Sequence, residues 1–224
     1  MDDDDDITAQ QREAMVAQQI AARGIRDRRV LDAMRRVPRH AFVAAAFRRE
    51  AYDDTPLPIE AGQTISQPYI VALMLEAARL GATDRLLEIG AGSGYASAVA
   101  ARLAGHVDAI ERHPLLVDLA RERLARLGCT NVAVHAGDGS AGWPAGAPYD
   151  AIVVSAAGPR VPQALREQLA IGGRLVLPVD AGYGAQRLLL VSRLANDAWH
   201  EDDLGGVLFV PLVGAQGWPE HGTR

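Results

Sequence analysis

The chain has 224 residues, of which 49% are hydrophobic and 23% are charged, values typical of a globular protein with one α/β domain. The net charge of -5 and the pI near 5.7 argue against a nucleic-acid-binding protein, because such a protein carries a basic face. The single cysteine, Cys129, excludes an internal disulfide and a metal cluster built on cysteines.

The N-terminus is acidic, since Met1 is followed by the five aspartates Asp2–Asp6. A signal peptide begins with basic residues, and no apolar stretch of the chain has the length of a membrane span. We therefore expect a cytoplasmic protein without a membrane partner. Because like charges repel one another, residues 1–7 are predicted to form a disordered tail.

The first third of the chain carries capping residues, glycine stops and prolines that mark helices and a loop. They predict a helix from Thr8 to Arg23 ended by Gly24, a helix from Asp27 to Val37 ended by Pro38, a loop over Ala51–Pro58 and a helix that begins at Pro68 and ends by Gly81. We interpret this region as a helical extension that packs on the sheet that follows.

From residue 85 onward, short apolar runs alternate with amphipathic stretches. The predicted strands are Arg85–Ile89, Val107–Ile110, Val132–His135, Tyr149–Ser155, Gly173–Val179, Arg187–Leu194 and Gly206–Val213. The predicted helices are Tyr95–Leu103, Leu115–Leu127 and Pro162–Leu169. This alternation predicts an α/β fold with a doubly wound, mostly parallel sheet, closed by an antiparallel pair of C-terminal strands.

A glycine-rich segment, Leu86–Gly94, joins the first strand of this sheet to its helix. Open α/β sheets bind ligands at the carboxyl ends of their strands, where glycines let a ligand approach and expose backbone amides. Glu111 ends the second strand, where an acid meets ribose hydroxyls. Nicotinamide-binding proteins share both features, so these leave the class of ligand open.

Acidic residues at three successive strand ends distinguish better between a site for a nicotinamide dinucleotide and a site for a cationic cofactor. Glu88 lies in the first strand, Glu111 ends the second, and Asp138 follows the third. Asp138 is placed to meet the amino group of an adenine, and Glu88 to lie near the charged end of a cofactor. Three carboxylates suit a cation such as S-adenosyl-L-methionine better than an anionic pyrophosphate. The alternative is that Asp138 only makes a turn and that Glu88 caps a backbone amide.

The segment Gly62–Ala72 reads Gly-Gln-Thr-Ile-Ser-Gln-Pro-Tyr-Ile-Val-Ala and resembles the signature of protein-L-isoaspartate O-methyltransferases. The resemblance covers nearly the whole chain, with one departure at the Glu60-Ala61 pair, where many relatives have a Gly-Tyr-like step. It implies a single domain of the Rossmann-like class I methyltransferase fold. The implied parts are residues 8–80 as helical cap and signature loop, 81–180 as cofactor-binding core and 181–224 as C-terminal strands.

The resemblance also implies roles for individual residues. Ser66 matches the active-site hydroxyl, and the other residues of the substrate loop are Thr64, Ile65, Gln67 and, near the C-terminus, Val213. The residues that match cofactor positions are Glu88, Gly90, Gly92, Ser93, Gly94, Glu111, Arg112, Asp138 and Gly139. From spacing alone, Ser66 is first a candidate N-cap of the helix that begins at Pro68, and both roles are compatible. Gln216 and Trp218 are weaker candidates near the substrate.

The implied reaction moves a methyl group from S-adenosyl-L-methionine to the free carboxyl of an isoaspartyl residue and leaves S-adenosyl-L-homocysteine. That carboxyl has a pKa of roughly 3 to 4, so it is ionised at neutral pH and needs no general base. Ser66 is therefore expected to orient the carboxylate. The ester then collapses to a succinimide, whose hydrolysis returns part of the damaged protein to normal linkages.

The expected partners are isoaspartyl-containing proteins and peptides, with no nucleic acid, and the expected state is a monomer. No metal is expected, because the six histidines show no metal-ligand spacing. Three alternatives stay open at this stage. They are a small-molecule methyltransferase of the same fold, an NAD-dependent oxidoreductase, and a non-catalytic binding protein derived from the enzyme fold.

Overall fold

A computed structural model of the protein describes residues 3–195 and 198–220. The α-helices in these ranges are α1 (Asp3–Ala14), α2 (Arg28–Arg36), α3 (Pro68–Ala78), α4 (Tyr95–Ala100), α5 (Pro114–Arg126) and α6 (Gln163–Gln168). The strands are β1 (Leu57–Pro58), β2 (Thr64–Ile65), β3 (Arg85–Ile89), β4 (His106–Glu111), β5 (Val132–Ala136), β6 (Tyr149–Val154), β7 (Leu169–Gly182), β8 (Ala185–Arg193) and β9 (Trp199–Val207). Within the described ranges, no helix combines the length and the apolar character needed to cross a membrane.

The main sheet has seven strands in the order β5-β4-β3-β6-β7-β8-β9. Strands β3 to β7 pair in parallel, β8 is antiparallel to β7, and β9 is antiparallel to β8. A separate antiparallel pair is formed by β1 and β2. The predicted class of fold, a doubly wound and mostly parallel sheet with antiparallel strands at its C-terminal side, is confirmed.

Successive side chains of β3 enter two different hydrophobic layers, one on each face of the sheet. Leu86 packs in the layer that also contains Met34 of α2 and Val71 of α3, whereas Leu87 and Ile89 pack in the layer beside α6. Burial of each such side chain stabilises the fold by about 1.5–3 kcal/mol. The N-terminal helices therefore cover one face of the sheet, as predicted.

The first helix starts earlier than the sequence pattern predicts. α1 begins at Asp3 rather than at Thr8, so residues 3–7 are helical and the expectation of a disordered tail is corrected for them. Acidic residues are favoured at the start of a helix because its N-terminus carries a partial positive charge. Residues 1 and 2 lie outside the described ranges. The predicted stop at Gly24 is present, with φ at 106°.

The end of the chain also differs from the prediction, because the last strand is β9 and not Gly206–Val213. β9 is an edge strand with exposed polar residues at 200–203, so it lacks the alternation that marks a half-buried strand. Residues 208–213 leave the sheet and run beside Ala157, which donates to Val210 O and accepts from Leu212 N, both at 2.8 Å. Pro211 has no N–H group with which to continue a ladder.

A buried polar cluster around Asp108 joins side chains of four adjacent strands. The Asp108 carboxylate accepts hydrogen bonds from His135 Nε2 at 2.8 Å and from the Tyr149 hydroxyl at 3.0 Å, and Arg85 Nη2 lies at 3.5 Å. Burial raises the pKa of Asp108, but these hydrogen bonds and nearby His106 outweigh it, so the pKa lies below its ordinary value. The ionised carboxylate thus stabilises the pairing of β3, β4, β5 and β6.

Replacement of Tyr149 by Phe is expected to lower the free energy of unfolding by about 1–2 kcal/mol, because the buried Asp108 carboxylate loses one donor. Urea unfolding at neutral pH measures this change. Tyr183→Phe is the matched control, since Tyr183 is fully exposed in the turn between β7 and β8. Equal losses in the two variants, or no loss in Tyr149→Phe, would contradict the assigned role of the cluster.

Candidate functional site

A cleft opens at the carboxyl ends of β3, β4 and β6. The strand order reverses beside β3, because β4 and β5 lie on one side of it and β6 on the other. Open α/β sheets bind ligands at such a reversal. The lining residues are 63–66, 88–93, 110–113, 155–156 and 210–213, with Val71, Tyr95, Ala96 and Gly139.

Glycines allow the loop after β3 to pack closely against its neighbours. Gly94 has φ at 88°, a left-handed conformation that glycine adopts readily, and it lies against Ala120 of α5. Gly139, after β5, leaves no space for a Cβ atom, which would overlap the side chain of Ile89. Backbone conformation and close packing thus explain why residues 94 and 139 are glycines, without reference to a ligand.

The backbone amides of the glycine-rich loop are used inside the protein. Gly90 N and Ala91 N both donate to Ile110 O, at 2.9 and 3.0 Å, and Gly94 N donates to Ala91 O at 2.8 Å. Gly92 N donates to Glu111 Oε2 at 2.9 Å. The expectation that this loop exposes its amides is therefore corrected for these four residues. These four amides are therefore not available to a pyrophosphate group.

Glu111 braces the loops that follow β3 and β4. In addition to the bond from Gly92, its other oxygen accepts from His113 N at 2.9 Å. Its side chain is buried, yet it lines the cleft, and each carboxylate oxygen keeps a further lone pair. The adjacent Arg112 also lines the cleft and donates to Glu220 Oε1 at 2.6 Å. Glu111 can therefore accept hydroxyl donors from a ligand without moving.

Glu88 is the more deeply buried of the two acids that line the cleft, and it is 2% exposed. Its Oε2 atom accepts a hydrogen bond from the Ser97 hydroxyl, while Oε1 has no partner among the described residues. Burial raises the pKa of Glu88 to about 8; the hydrogen bond from Ser97 opposes this shift, and the charge of Glu111 adds to it. An unsatisfied buried acceptor costs free energy, so this position favours a ligand that brings a cation or an N–H donor.

The signature loop is held by a short hairpin in which Leu57 of β1 pairs with Ile65 of β2. Glu60, at the turn of this hairpin, forms an ion pair of 2.9 Å with the buried Arg123 of α5. The Glu60-Ala61 pair, where the sequence departs from the family pattern, thus includes a residue that ties the hairpin to α5. Ala61 itself has φ at 57°, and Gly62 continues the turn with φ at 67°.

Asp54 caps the helix that follows Ser66. Its carboxylate accepts from Tyr69 N at 2.8 Å and from Gln67 Nε2 at 3.1 Å, and it also pairs with Arg23. The N-cap position of α3 is Gln67, which makes no side-chain cap. Among the described residues, the Ser66 hydroxyl has no hydrogen-bond partner, and Ser66 lines the cleft. The expectation that Ser66 caps this helix is therefore corrected, because Asp54 is the residue that caps it.

Most of the predicted site residues meet in this one cleft. Those that line it are Thr64, Ile65, Ser66, Glu88, Gly90, Gly92, Ser93, Glu111, Arg112, Gly139 and Val213. Gln67, Gly94 and Asp138 are not among the lining residues. Gln67 is directed to Asp54, Gly94 starts α4, and Asp138 borders a neighbouring depression together with Arg112 and Val213.

Sequence reasoning missed several residues of the cleft. Ser155 and Ala156 follow β6, and the rule that ligands bind at the carboxyl ends of strands was enough to find them. Tyr95 and Leu212 also line the cleft, but no local pattern distinguishes them from core residues.

The two weaker candidates act as supports and do not line the cleft. Gln216 Oε1 accepts from Ala164 N at 2.9 Å, and Trp218 Nε1 donates to Ala157 O at 3.0 Å. In the described part of the chain, no three His, Cys, Asp or Glu side chains are grouped as metal ligands. His221 lies outside that part.

Comparison with known proteins gives a consistent family. The family model described as protein-L-isoaspartate(D-aspartate) O-methyltransferase matches residues 10–217. Protein-L-isoaspartate O-methyltransferase 1 of Rhodopseudomonas palustris strain HaA2 is 61% identical over 216 residues, covering 96% of this chain and 88% of the relative. The protein-L-isoaspartate O-methyltransferase of Brucella anthropi is 51% identical, covering 92% of this chain and 94% of its own.

Solved structures agree. A protein-L-isoaspartate O-methyltransferase superposes with a TM-score of 0.83 at 29% identity, covering 92% of this chain and 67% of the other. A Plasmodium falciparum structure assigned to the same family, in complex with S-adenosyl-L-homocysteine, gives a TM-score of 0.78 at 27% identity, covering 90% of this chain and 98% of the other.

Replacement of Glu88 by Gln is expected to remove a pH dependence of stability. The pKa of Glu88 is about 8 in the folded protein against an ordinary value of 4.5. Between these values the unfolded chain has released a proton that the folded protein keeps, so the free energy of unfolding falls as the pH rises, and the fall ends above the folded pKa. Urea unfolding at about pH 5.5 and about pH 8.5 should therefore show the variant gaining stability relative to wild type at the higher pH.

The matched control is Glu122→Gln on the exposed side of α5, where the carboxylate lies 3.6 Å from Arg126. It should show no such relative gain between the two pH values. A constant difference between wild type and Glu88→Gln at both pH values would mean that Glu88 is ionised throughout.

Proposed function

The chain belongs to the protein-L-isoaspartate(D-aspartate) O-methyltransferase family, and on this basis we propose that it transfers a methyl group from S-adenosyl-L-methionine to the free carboxyl of isoaspartyl residues in proteins. The observation that carries the proposal is the shared cleft. The signature residues Thr64, Ile65 and Ser66 line the same cavity as the loop 88–93. Methyl acceptor and methyl donor would therefore meet between these two segments.

The acidic residues at the strand ends match the positive charge of the cofactor. When bound, S-adenosyl-L-methionine supplies an electrophilic methyl group on a positively charged sulfonium and leaves as S-adenosyl-L-homocysteine. We propose that Glu88 attracts the cationic end through its unpartnered oxygen and that Glu111 accepts the ribose hydroxyls. Further proposed cofactor contacts come from Gly90, Gly92, Ser93, Arg112 and Gly139, all of which line the cleft.

The chemistry of the acceptor explains why the cleft needs no strong base. An isoaspartyl α-carboxyl is already ionised at neutral pH, so Ser66 would only orient it through a hydrogen bond. The attack joins a carboxylate oxygen to a methyl carbon while the bond from carbon to sulfur breaks, and two opposite charges disappear. Tyr95, Leu212 and Val71 give the cleft apolar surface, which favours such a loss of charge. Correct placement of the reacting groups can supply about 7–11 kcal/mol.

Two rival functions make different demands on the cleft. An NAD-dependent oxidoreductase would need loop amides for a pyrophosphate, whereas Gly90, Ala91, Gly92 and Gly94 donate to protein acceptors. A small-molecule methyltransferase of the same fold would share the cofactor residues but would have no use for a segment that binds a peptide, which is the role proposed here for 210–213. The identity of the methyl acceptor, a peptide or a small molecule, therefore distinguishes the proposed function from that of a small-molecule methyltransferase.

We further propose that the protein acts as a monomer in the cytoplasm and binds no nucleic acid. The net charge of -5 supports the last point, because a nucleic-acid surface requires excess positive charge. A monomer leaves the cleft accessible to a substrate that is itself a protein. Size-exclusion chromatography with light scattering tests the oligomeric state directly.

The decisive test is incubation with labelled S-adenosyl-L-methionine and two peptides that differ only in an isoaspartyl or a normal aspartyl linkage. We expect base-labile label on the isoaspartyl peptide alone, because only that linkage exposes an α-carboxylate. Binding of S-adenosyl-L-homocysteine without label on either peptide would retain the cofactor and reject the acceptor. Label on both peptides would reject selectivity for the damaged linkage.

The Ser66→Ala variant tests the orienting role. Loss of one hydrogen bond to a carboxylate should lower kcat/KM for the isoaspartyl peptide by about 10- to 100-fold, with the Kd of S-adenosyl-L-homocysteine within about twofold of wild type. The matched control is Ser192→Ala on β8, outside the cleft, which should leave kcat/KM unchanged. Wild-type kcat/KM in Ser66→Ala would assign the placement of the acceptor to other groups.

A further inference from the structure

The segment that follows β9, residues 208–218 and here named the C-terminal loop, forms one wall of the cleft. Val210 to Val213 line it together with residues 63–66 of the signature loop. Beyond Val213 the loop turns back on itself, since Gly214 N donates to Trp218 O at 3.0 Å and Trp218 N donates to Leu212 O at 2.7 Å. The loop lies outside any ladder of the main sheet, so its position depends on other contacts. Gln186 of β8 bonds both the N–H and the carbonyl group of Phe209, and Ala164 N of α6 donates to Gln216 Oε1.

Two residues of the loop after β5 hold the C-terminal loop through its backbone. Asp138 Oδ2 accepts from Ala215 N at 2.7 Å, and Ser140 Oγ accepts from Gln216 N at 2.9 Å. The Ser140 hydroxyl at the same time donates to Asp138 Oδ1 at 2.7 Å, and Ser140 N donates to that oxygen at 2.9 Å. These contacts of Asp138 and Ser140 are named the Asp138–Ser140 clamp. They connect residues 76 and 77 positions apart in the chain.

The clamp is closely packed, and it joins the buried Ser140 to Asp138 and Ala215, which are exposed. Ser140 is fully buried, and a Cβ atom at Gly214 would overlap both Asp138 Oδ1 and Ser140 Oγ. A carboxylate has about four acceptor positions, and Asp138 uses three of them within the protein. Two of these bonds come from Ser140 and one from Ala215 of the C-terminal loop, so the sequence-based expectation of an adenine contact concerns at most the remaining position.

We propose that Asp138 and Ser140 are positioning residues. They lie in the loop after β5, on the side of the cleft proposed to bind the cofactor, and they hold in place the C-terminal loop, which is the wall proposed to contact the peptide. This inference rests on the proposed function. Gly139 lies between the two and lines the cleft, whereas Ser140 does not line it and holds Val213 only through the backbone of residues 214–216. Loss of the clamp should therefore weaken binding of the peptide and spare binding of the cofactor.

The Ser140→Ala variant removes both the acceptor for Gln216 N and the donor to Asp138. The KM for the isoaspartyl peptide should rise about tenfold, with kcat and the Kd of S-adenosyl-L-homocysteine within about twofold of wild type. Amide hydrogen exchange should become faster at residues 215 and 216. Ser192→Ala serves again as the matched control, and should change none of these quantities.

A second variant, Ala215→Pro, tests the clamp without changing a buried residue, so the test does not depend on the correct folding of Ser140→Ala alone. It removes the N–H group that donates to Asp138 and also fixes the φ angle of residue 215, at an exposed residue outside the cleft, and it should raise the same KM. The proposal is overturned if exchange at residues 215 and 216 is unchanged in Ser140→Ala, or if the Kd of S-adenosyl-L-homocysteine rises as much as the KM of the peptide. A wild-type protein that methylates no isoaspartyl peptide would reject the proposed function, whereas the exchange measurement still decides whether the clamp holds the loop.

Discussion

The position of β3 between β4 and β6 is the constraint from which the site follows. Parallel strands end at the same edge of a sheet, so the residues after them converge although they are far apart in the chain. The backbone hydrogen bonds continue just beyond the strands, from Gly90 N to Ile110 O at 2.9 Å and from Ser155 N to Ile89 O at 2.8 Å. The floor of the cleft is thus an extension of the sheet, and it has the rigidity of the sheet.

This rigid floor allows the protein to keep an acid in an unfavourable environment. Glu88 is buried in the middle of the fold with one oxygen unpartnered, and its pKa is raised to about 8. A flexible loop would relax by exposing the carboxyl group to water, whereas a residue of a central strand cannot. At neutral pH the free protein therefore keeps most of this carboxyl group protonated, and a cationic ligand would favour its ionised form on binding. The same low-polarity surroundings favour a transfer in which a carboxylate and a sulfonium lose their charges.

The sequence predicted the buried parts of the molecule better than its edges. Strands β3, β4 and β6 are buried apolar runs, so their positions agree with the prediction to within one or two residues. β9 was missed because an exposed edge strand needs no apolar pattern, and the apolar residues 208–213 were assigned to a strand that they do not form. In the site, residues within compact motifs were found, but contacts such as that between Ser140 and Gln216 leave no local pattern in a single sequence.

Ser66 illustrates the same limit and carries a chemical consequence. A serine two residues before the proline that starts a helix is a natural candidate for a cap, and local reasoning ranks this role first. Asp54 takes the role from another segment by accepting the Tyr69 N–H group, and Arg23 supports it from the N-terminal helices. Because the helix is capped from outside, the Ser66 hydroxyl keeps its hydrogen-bonding capacity for the cleft. An acceptor that is already ionised requires placement and no proton transfer, and a weakly acidic hydroxyl on a fixed loop is sufficient for that task.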